Sequence, residues 1–347
     1  MLDKEKLKQN SYPNIFGQEK IKKQLTSTLL TGRHIIIVGP PGIGKTTLAK
    51  NVSEFLPELE VNNCGYNCLP SQPNCPLCLT ESQKTRTSKG TERFVRVQGS
   101  PDLTAEDLIG DIDPIKAMKY GPLSIEAFTP GKIFKANNGI LFFDEVNRCP
   151  EKLQNALLQV LEEKKVTIGS YEIDFNSDFI LIATMNPSDI NTERLSEVFT
   201  DRFDYIYMSY PDSLDTEVKI VKTKGKDLGV PFPDNLITHA VMFVRQLREN
   251  PDLEKVPSVR ASLGLYERSQ ANAILNNNEE VKYEDFQEAL NSVLNHRLRL
   301  KPSQKFLHLP EKLLAPFTKT NENLTWYSDC EKICDRRWIS ANFLFIF

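Results

Sequence analysis

No uninterrupted apolar stretch in this 347-residue chain approaches the roughly 18 residues that a bilayer-spanning helix requires. The opening residues, MLDKEKLKQN, are charged and lack the apolar core of a signal peptide, so the protein is expected to be cytoplasmic and to have no membrane partner. Neither sign of charge dominates: 43 basic against 46 acidic side chains leave a net charge of -3, a balance that calls for no nucleic-acid partner. Internal repeats and long low-complexity tracts are missing. Histidine is scarce, and His34, His239, His296 and His308 are too scattered to form a cluster with a chemical role. The seven cysteines are odd in number and uneven in spacing, four of them falling between positions 64 and 78. That pattern speaks against a disulfide framework and fits a reducing compartment with a possible metal site.

What is present is the alternation of an α/β fold. The chain is longer than one hydrophobic core usually serves, which suggests a large domain and a smaller one. A helical pattern in Gln18 to Leu30 leads into His34-Ile35-Ile36-Ile37-Val38, a β-branched run that reads as a buried parallel strand. A glycine-rich turn and a helix from Lys45 to Phe55 follow. Further strands are expected at Phe94 to Val97, Ile140 to Phe143, Phe179 to Met185 and Tyr205 to Met208. Between the second and third of these, Glu151 to Glu163 reads as a helix with Leu153, Leu157, Val160 and Leu161 on one face. The alternating segment Val166 to Phe175, with Gly169-Ser170 at its centre, predicts a projecting hairpin. From Ser213 the pattern becomes purely helical, over Asp215 to Lys224, Asn235 to Glu249, Ser262 to Asn276 and Tyr283 to Arg297.

Gly39-Pro40-Pro41-Gly42-Ile43-Gly44-Lys45-Thr46 matches GxxxxGK[ST] and sits between a buried strand and a helix, where such a loop must sit. Its glycines let backbone N–H groups turn in around phosphate oxygens, Lys45 reaches the β and γ phosphates, and Thr46 ligates Mg²⁺. Thr47 completes the nucleotide-binding set. Downstream, Ile140-Leu141-Phe142-Phe143-Asp144-Glu145 is a hydrophobic strand ending in paired acids. Asp144 is expected to hold Mg²⁺ through water, and Glu145 to polarise the attacking water. The strand Ile180 to Met185 ends in Asn186, whose amide could bond the γ-phosphate or that water, or could serve only as a turn residue. ATP and Mg²⁺ are thus the expected substrate and cofactor.

With these motifs the chain resembles the AAA+ superfamily, within it the group shared by MoxR-type ATPases and the ATPase subunit of magnesium chelatase (ChlI-like). The resemblance covers roughly Tyr12 to Pro302. Asn14-Ile15-Phe16-Gly17-Gln18 looks like the segment whose backbone contacts adenine, which implies Ile15 and Gly17 in the nucleotide site. Ala136 to Arg148 is close to both families, while Gly110 to Ala117 and Ala127 to Gly131 look like the chelatase subunit. Later segments lean towards MoxR. Leu195-Ser196-Glu197 with Asp201-Arg202-Phe203 implies that Arg202 is an arginine finger acting on a neighbouring subunit, Arg194 being a weaker candidate. Ser258 to Leu263 implies that Arg260 is the sensor 2 arginine, and the likeness supports Asn186 as sensor 1. Ala105 to Ile133 resembles the helix-2 insertion, and the hairpin the one before sensor 1.

The resemblance implies a P-loop NTPase (AAA+) parallel sheet flanked by helices, with a C-terminal all-helical lid. The domain boundaries expected are a core over 1–212, carrying a cysteine-rich insertion at 61–92, the helix-2 insertion at 105–133 and the hairpin at 166–175. The lid covers 213–302, and 303–347 is a tail of unassigned structure. The implied function is ATP hydrolysis in a homo-oligomeric ring, expected to be a hexamer, that remodels a partner bearing a von Willebrand A domain. The alternatives are the motor subunit of a magnesium or other metal chelatase and, less favoured by charge, a DNA translocase or helicase. Cys64-x3-Cys68-x6-Cys75-x2-Cys78 puts four thiols in one short segment, its second half spaced for a tetrahedral ion. Structural Zn²⁺, redox-sensitive thiols and unpaired bystanders are all open readings, and some chelatase subunits carry a cysteine-bearing insertion at a similar place. Cys330 and Cys334 are read as bystanders.

Overall fold

The computed structural model describes residues 2–9, 12–122, 124–168, 171–187, 189 and 195–302. Arg194, the Gly169-Ser170 turn, His308 and the Cys330/Cys334 pair lie outside the described residues. The described residues divide into two compact units, one of those up to 223 together with Ser258–Arg260, the other of 224–257 with 261–302.

Five strands form the sheet of the first unit: β1 (His34–Val38), β2 (Phe94–Gln98), β3 (Gly139–Asp144), β4 (Phe179–Met185) and β5 (Phe203–Tyr207). Their spatial order is β5-β1-β4-β3-β2, and every neighbouring pair is parallel. The expected α/β class is therefore what the chain adopts. The strands read as unbroken apolar runs because both faces are covered, yet the period of two is intact beneath. Ile36, Leu141, Phe143, Leu181 and Ala183 face one core, which also receives Leu153, Leu157 and Val160 of the helix Glu151–Glu163. Ile35, Ile37, Ile140, Phe142, Ile180 and Ile182 face the other, against the helices Glu19–Leu30 and Lys45–Ser53. Because all five strands run the same way, their C-terminal ends open on one edge of the sheet and their N-terminal ends on the other.

Three short antiparallel ribbons escaped the sequence pattern. Leu59–Asn62 pairs with Thr85–Ser88, Gly110–Ile112 with Phe128–Pro130, and Leu253–Lys255 with Arg299–Leu300. The last of these corrects the expectation of helices alone beyond Ser213. Strands of two to four residues are too short to display a period. The expected hairpin is present as Lys165–Ile168 paired with Tyr171–Asn176. In the second unit the helices Asp234–Glu249 and Tyr283–Leu294, with the helix Val259–Leu275 from Ala261 on, close around Val244, Leu265, Leu290 and Leu294. There Asp285 is fully buried and accepts from Asn276, Asn278 and the Lys282 amide, capping the helix Tyr283–Leu294.

Candidate functional site

β1 runs directly into the loop Gly39 to Gly44, and the helix Lys45–Ser53 starts from it. Gly42 and Gly44 take φ of +75° and +98°, values that side chains disfavour. A Cβ on Gly39 would stand 2.2 Å from the Met208 carbonyl oxygen, and one on Gly42 2.6 Å from Ser258 Oγ. Pro41 is exposed at the loop's crest, and Pro40, Ile43, Thr46 and Thr47 are half-buried. Lys45 Nζ curls over the loop and donates to the carbonyls of Gly39 (2.5 Å) and Pro40 (2.8 Å). Burial draws its pKa down to about 8, Asp144 and Glu145 oppose that shift, and Arg260 adds to it. Ile15 is buried, and Gly17, at φ +63°, turns the chain so that the Gln18 amide donates to the Ser209 carbonyl at 3.1 Å.

The acidic pair stands beside this loop at the same sheet edge, since the end of β3 lies in register with Gln98 of β2. Thr184, fully buried in β4, donates to Asp144 Oδ1 at 2.6 Å and accepts from the Glu145 amide at 2.9 Å. One hydroxyl thus fixes both acids. Arg96 pairs with Asp144 Oδ2 at 2.6 Å. Glu145 has a left-handed backbone, φ +57°, and its carboxylate accepts from Gln98 at 3.0 Å and pairs with Arg148 at 3.1 Å. Gly99 passes so close behind that a Cβ would meet the Glu145 carbonyl oxygen at 2.1 Å. Asn186 follows the end of β4 on this edge, its carbonyl accepting from Asn147 at 3.3 Å.

The two arginines part company. Arg260 is exposed and comes up against the phosphate-binding loop, its Cγ 3.2 Å from where a Gly42 Cβ would be. Arg202 immediately precedes β5, whose Phe203 is in register with His34 at the start of β1. The length of β1, about 13 Å of strand, therefore separates Arg202 from its own phosphate loop. There it pairs with Glu162 and donates to the Val198 carbonyl at 2.7 Å.

Residues 74–205 match the family described as "ATPase family associated with various cellular activities (AAA)", residues 247–313 the AAA lid domain, and residues 11–66 "Magnesium chelatase, subunit ChlI". A magnesium-chelatase subunit ChlI homolog of Methanocaldococcus jannaschii is 28% identical, over 83% of this chain and 85% of its own. Chaperone MoxR1 of Mycobacterium tuberculosis is 26% identical, over 82% and 73% respectively. Together these matches support a MoxR/ChlI-like AAA+ ATPase. A structure of the complex between subunits BchI and BchD of magnesium chelatase superposes with a TM-score of 0.50 at 20% identity, over 87% of this chain and 98% of that one. At that identity the likeness speaks for the fold.

Against this AAA+ framework, four residues at the nucleotide edge went unassigned in the sequence reading: Arg96, Gln98, Gly99 and Thr184. Thr184 alone gave a signal, as a polar side chain inside a buried strand. The other three act across the sheet and become visible only with the register. The cysteine insertion of this AAA+ chain is a separate feature. The ribbon Leu59–Asn62/Thr85–Ser88 brings Cys64, Cys68, Cys75 and Cys78 together, their sulfurs all within 4.8 Å of one another. Cys68 and Cys75 are buried, and none is in a disulfide. Cys68 and Cys75 donate to the Cys64 sulfur, which holds that thiol well below its ordinary range. The same bonds push Cys68 up to about 11 and Cys75 far above the usual thiol value, while burial raises Cys78.

Proposed function

We propose that the protein binds Mg-ATP with the loop Gly39 to Thr47, hydrolyses it at an interface between copies in a ring, and uses the cycle to remodel a partner protein. The position of Arg202 carries this reading. A guanidinium at the N-terminal edge of the sheet is beyond reach of phosphates at the C-terminal edge of the same chain, which supports a role at the phosphates of an adjoining copy. Thr46 and Asp144 would hold Mg²⁺; a hydroxyl and an oriented carboxylate are the hard oxygen ligands this ion takes. The ion supplies charge neutralisation at the phosphates. Glu145 would orient the attacking water, Asn186 would sense the γ-phosphate, and Arg260 and the finger Arg202 would neutralise charge as it builds on the transferred group. Ile15 and Gly17 would line the adenine.

The MoxR likeness at Leu195 to Phe203 supports remodelling of a partner with a von Willebrand A domain, in a ring expected to be hexameric. A second reading, the motor of a metal chelatase, is favoured by the ChlI homolog that this chain matches over 85% of its length. Tetrapyrrole-dependent stimulation of the ATPase would select it. For the cysteine quartet we infer structural Zn²⁺, because four thiolates fill a tetrahedral shell and leave no open position for catalysis. The direct test of the main reading is ATPase rate per subunit against protein concentration. It should climb as the ring assembles; a rate that stays constant down to dilute monomer would refute the shared site.

A further inference from the structure

Between the second and first cysteines of the cluster lies a residue that belongs to neither the metal shell nor the nucleotide site. Asn67 takes a left-handed backbone, φ +50°, is buried, and donates its side-chain amide to the Lys135 carbonyl at 2.8 Å. Its own carbonyl accepts from the Asn138 amide at 3.1 Å. Asn138 is in turn bonded through its backbone N–H to the Asp178 carbonyl at 2.7 Å, and Asn137 accepts from the Asp178 N–H at 3.1 Å. Lys135 to Asn138 is the turn that feeds β3, and Asp178 is the residue before β4. A chain of four hydrogen bonds therefore joins the cysteine knuckle to the starts of the two strands whose far ends carry Asp144, Glu145, Thr184 and Asn186.

We propose that a metal ion in the cysteine quartet, acting through Asn67, clamps the starts of β3 and β4 and so holds the acidic pair and the sensor in register. The inference rests on the metal reading given above. Two thiolates on one tetrahedral ion with bonds near 2.3 Å stand about 3.8 Å apart. A quartet already gathered within 4.8 Å closes onto such an ion by small side-chain movements. Cys64 and Cys68 flank Asn67 on either side, so ligation of both fixes the backbone between them. With the ion removed, the four sulfurs keep only weak S–H contacts, and the left-handed turn at Asn67 loses its constraint. Asn67 is a positioning residue: it touches neither the metal nor the nucleotide.

The test uses the full chain, zinc content by elemental analysis, and hydrogen exchange of the backbone amides with and without a chelator. Asn67→Gly keeps the backbone conformation and removes the amide that reaches Lys135. For the wild type, chelation should speed exchange in 132–144 and 177–185 by about tenfold or more, beyond the change in the knuckle itself. Asn67→Gly should retain one zinc per chain and the thiolate-to-metal absorption of its Co²⁺ form, yet exchange severalfold faster than wild type in 132–138, where the Lys135 link is lost, with a further gain on chelation because Asn138 still bonds the carbonyl of residue 67; exchange in 132–138 unchanged from wild type would overturn the role of Asn67. Exchange that quickens only within 59–88, in a protein that does bind zinc, would overturn the coupling and leave the metal reading standing. Absence of both zinc and Co²⁺ binding would overturn both.

Discussion

Lys45 is the residue on which nucleotide binding should depend most visibly on pH. With its pKa near 8 in the free protein, it carries its full charge below that value and loses it as pH rises past it. Phosphates beside it would restore the ordinary lysine range, so binding above pH 8 must take up a proton. We expect ATP affinity to be level below about pH 8 and to fall by up to about tenfold per unit above it. Calorimetry at pH 8.5 in two buffers of different ionisation enthalpy reads that proton directly, and zero uptake would contradict the assignment. Thr184 offers a separate probe. Thr184→Val keeps the shape but leaves the half-buried Glu145 amide without its acceptor and Asp144 Oδ1 without its donor, so stability should fall by about 1–3 kcal/mol. Hydrolysis should fall by about tenfold or more while ATP binding changes little, since no contact of Thr184 is with the loop. Equal losses in binding and turnover, measured with a fluorescent ATP analogue, would be the wrong pattern. The loop residues were legible in the sequence because a phosphate cradle is local, eight residues between a strand and a helix. Thr184 was legible only as an anomaly, since its two partners lie on another strand.

At the scale of elements, the joint between β1 and β4 has its own titration. His34 Nδ1 accepts from the Leu181 amide at 3.0 Å, with the ring between Phe179 and Phe203. Burial, with help from Lys164 and against Asp178, lowers its pKa from the ordinary 6.5 to about 4. A depressed value means the folded chain prefers the neutral ring. The stability this contributes is complete above pH 6.5 and drains away as pH falls from 6.5 to 4, amounting to about 3 kcal/mol. Urea midpoints of the wild type should drop across that window, and those of His34→Asn, which keeps an acceptor for Leu181, should be flatter there. Parallel profiles would show that other groups carry the acid sensitivity. Strand identities and the helix Glu151–Glu163 were readable from apolar period alone. The network Arg96–Asp144 and Gln98–Glu145 was not, because which strand lies beside β3 is decided by sheet order. The same holds for the cysteines: the Cys75/Cys78 pair announces itself by spacing, whereas Cys64 and Cys68 join it only because a four-residue ribbon folds the segment back.

For the whole molecule, the central matter is whether the nucleotide site is complete in one copy. The motif around Arg202 suggested a finger by resemblance, but its location at the edge opposite Lys45 depends on β5 running parallel to β1, which no local pattern reveals. A site divided in this way would make each subunit both a binder of ATP and a donor to its neighbour, so that rate and assembly would be inseparable. The most direct test is complementation: ATPase activity of Glu145→Gln and Arg202→Ala alone and after mixing at equal concentration. Each variant alone should lose activity by about a hundredfold or more. In random mixed rings about a quarter of the interfaces join an intact Glu145 to an intact Arg202, so activity should return to roughly that fraction of wild type. Mixtures as inactive as their parents, or full activity in Arg202→Ala alone, would contradict a site shared between copies.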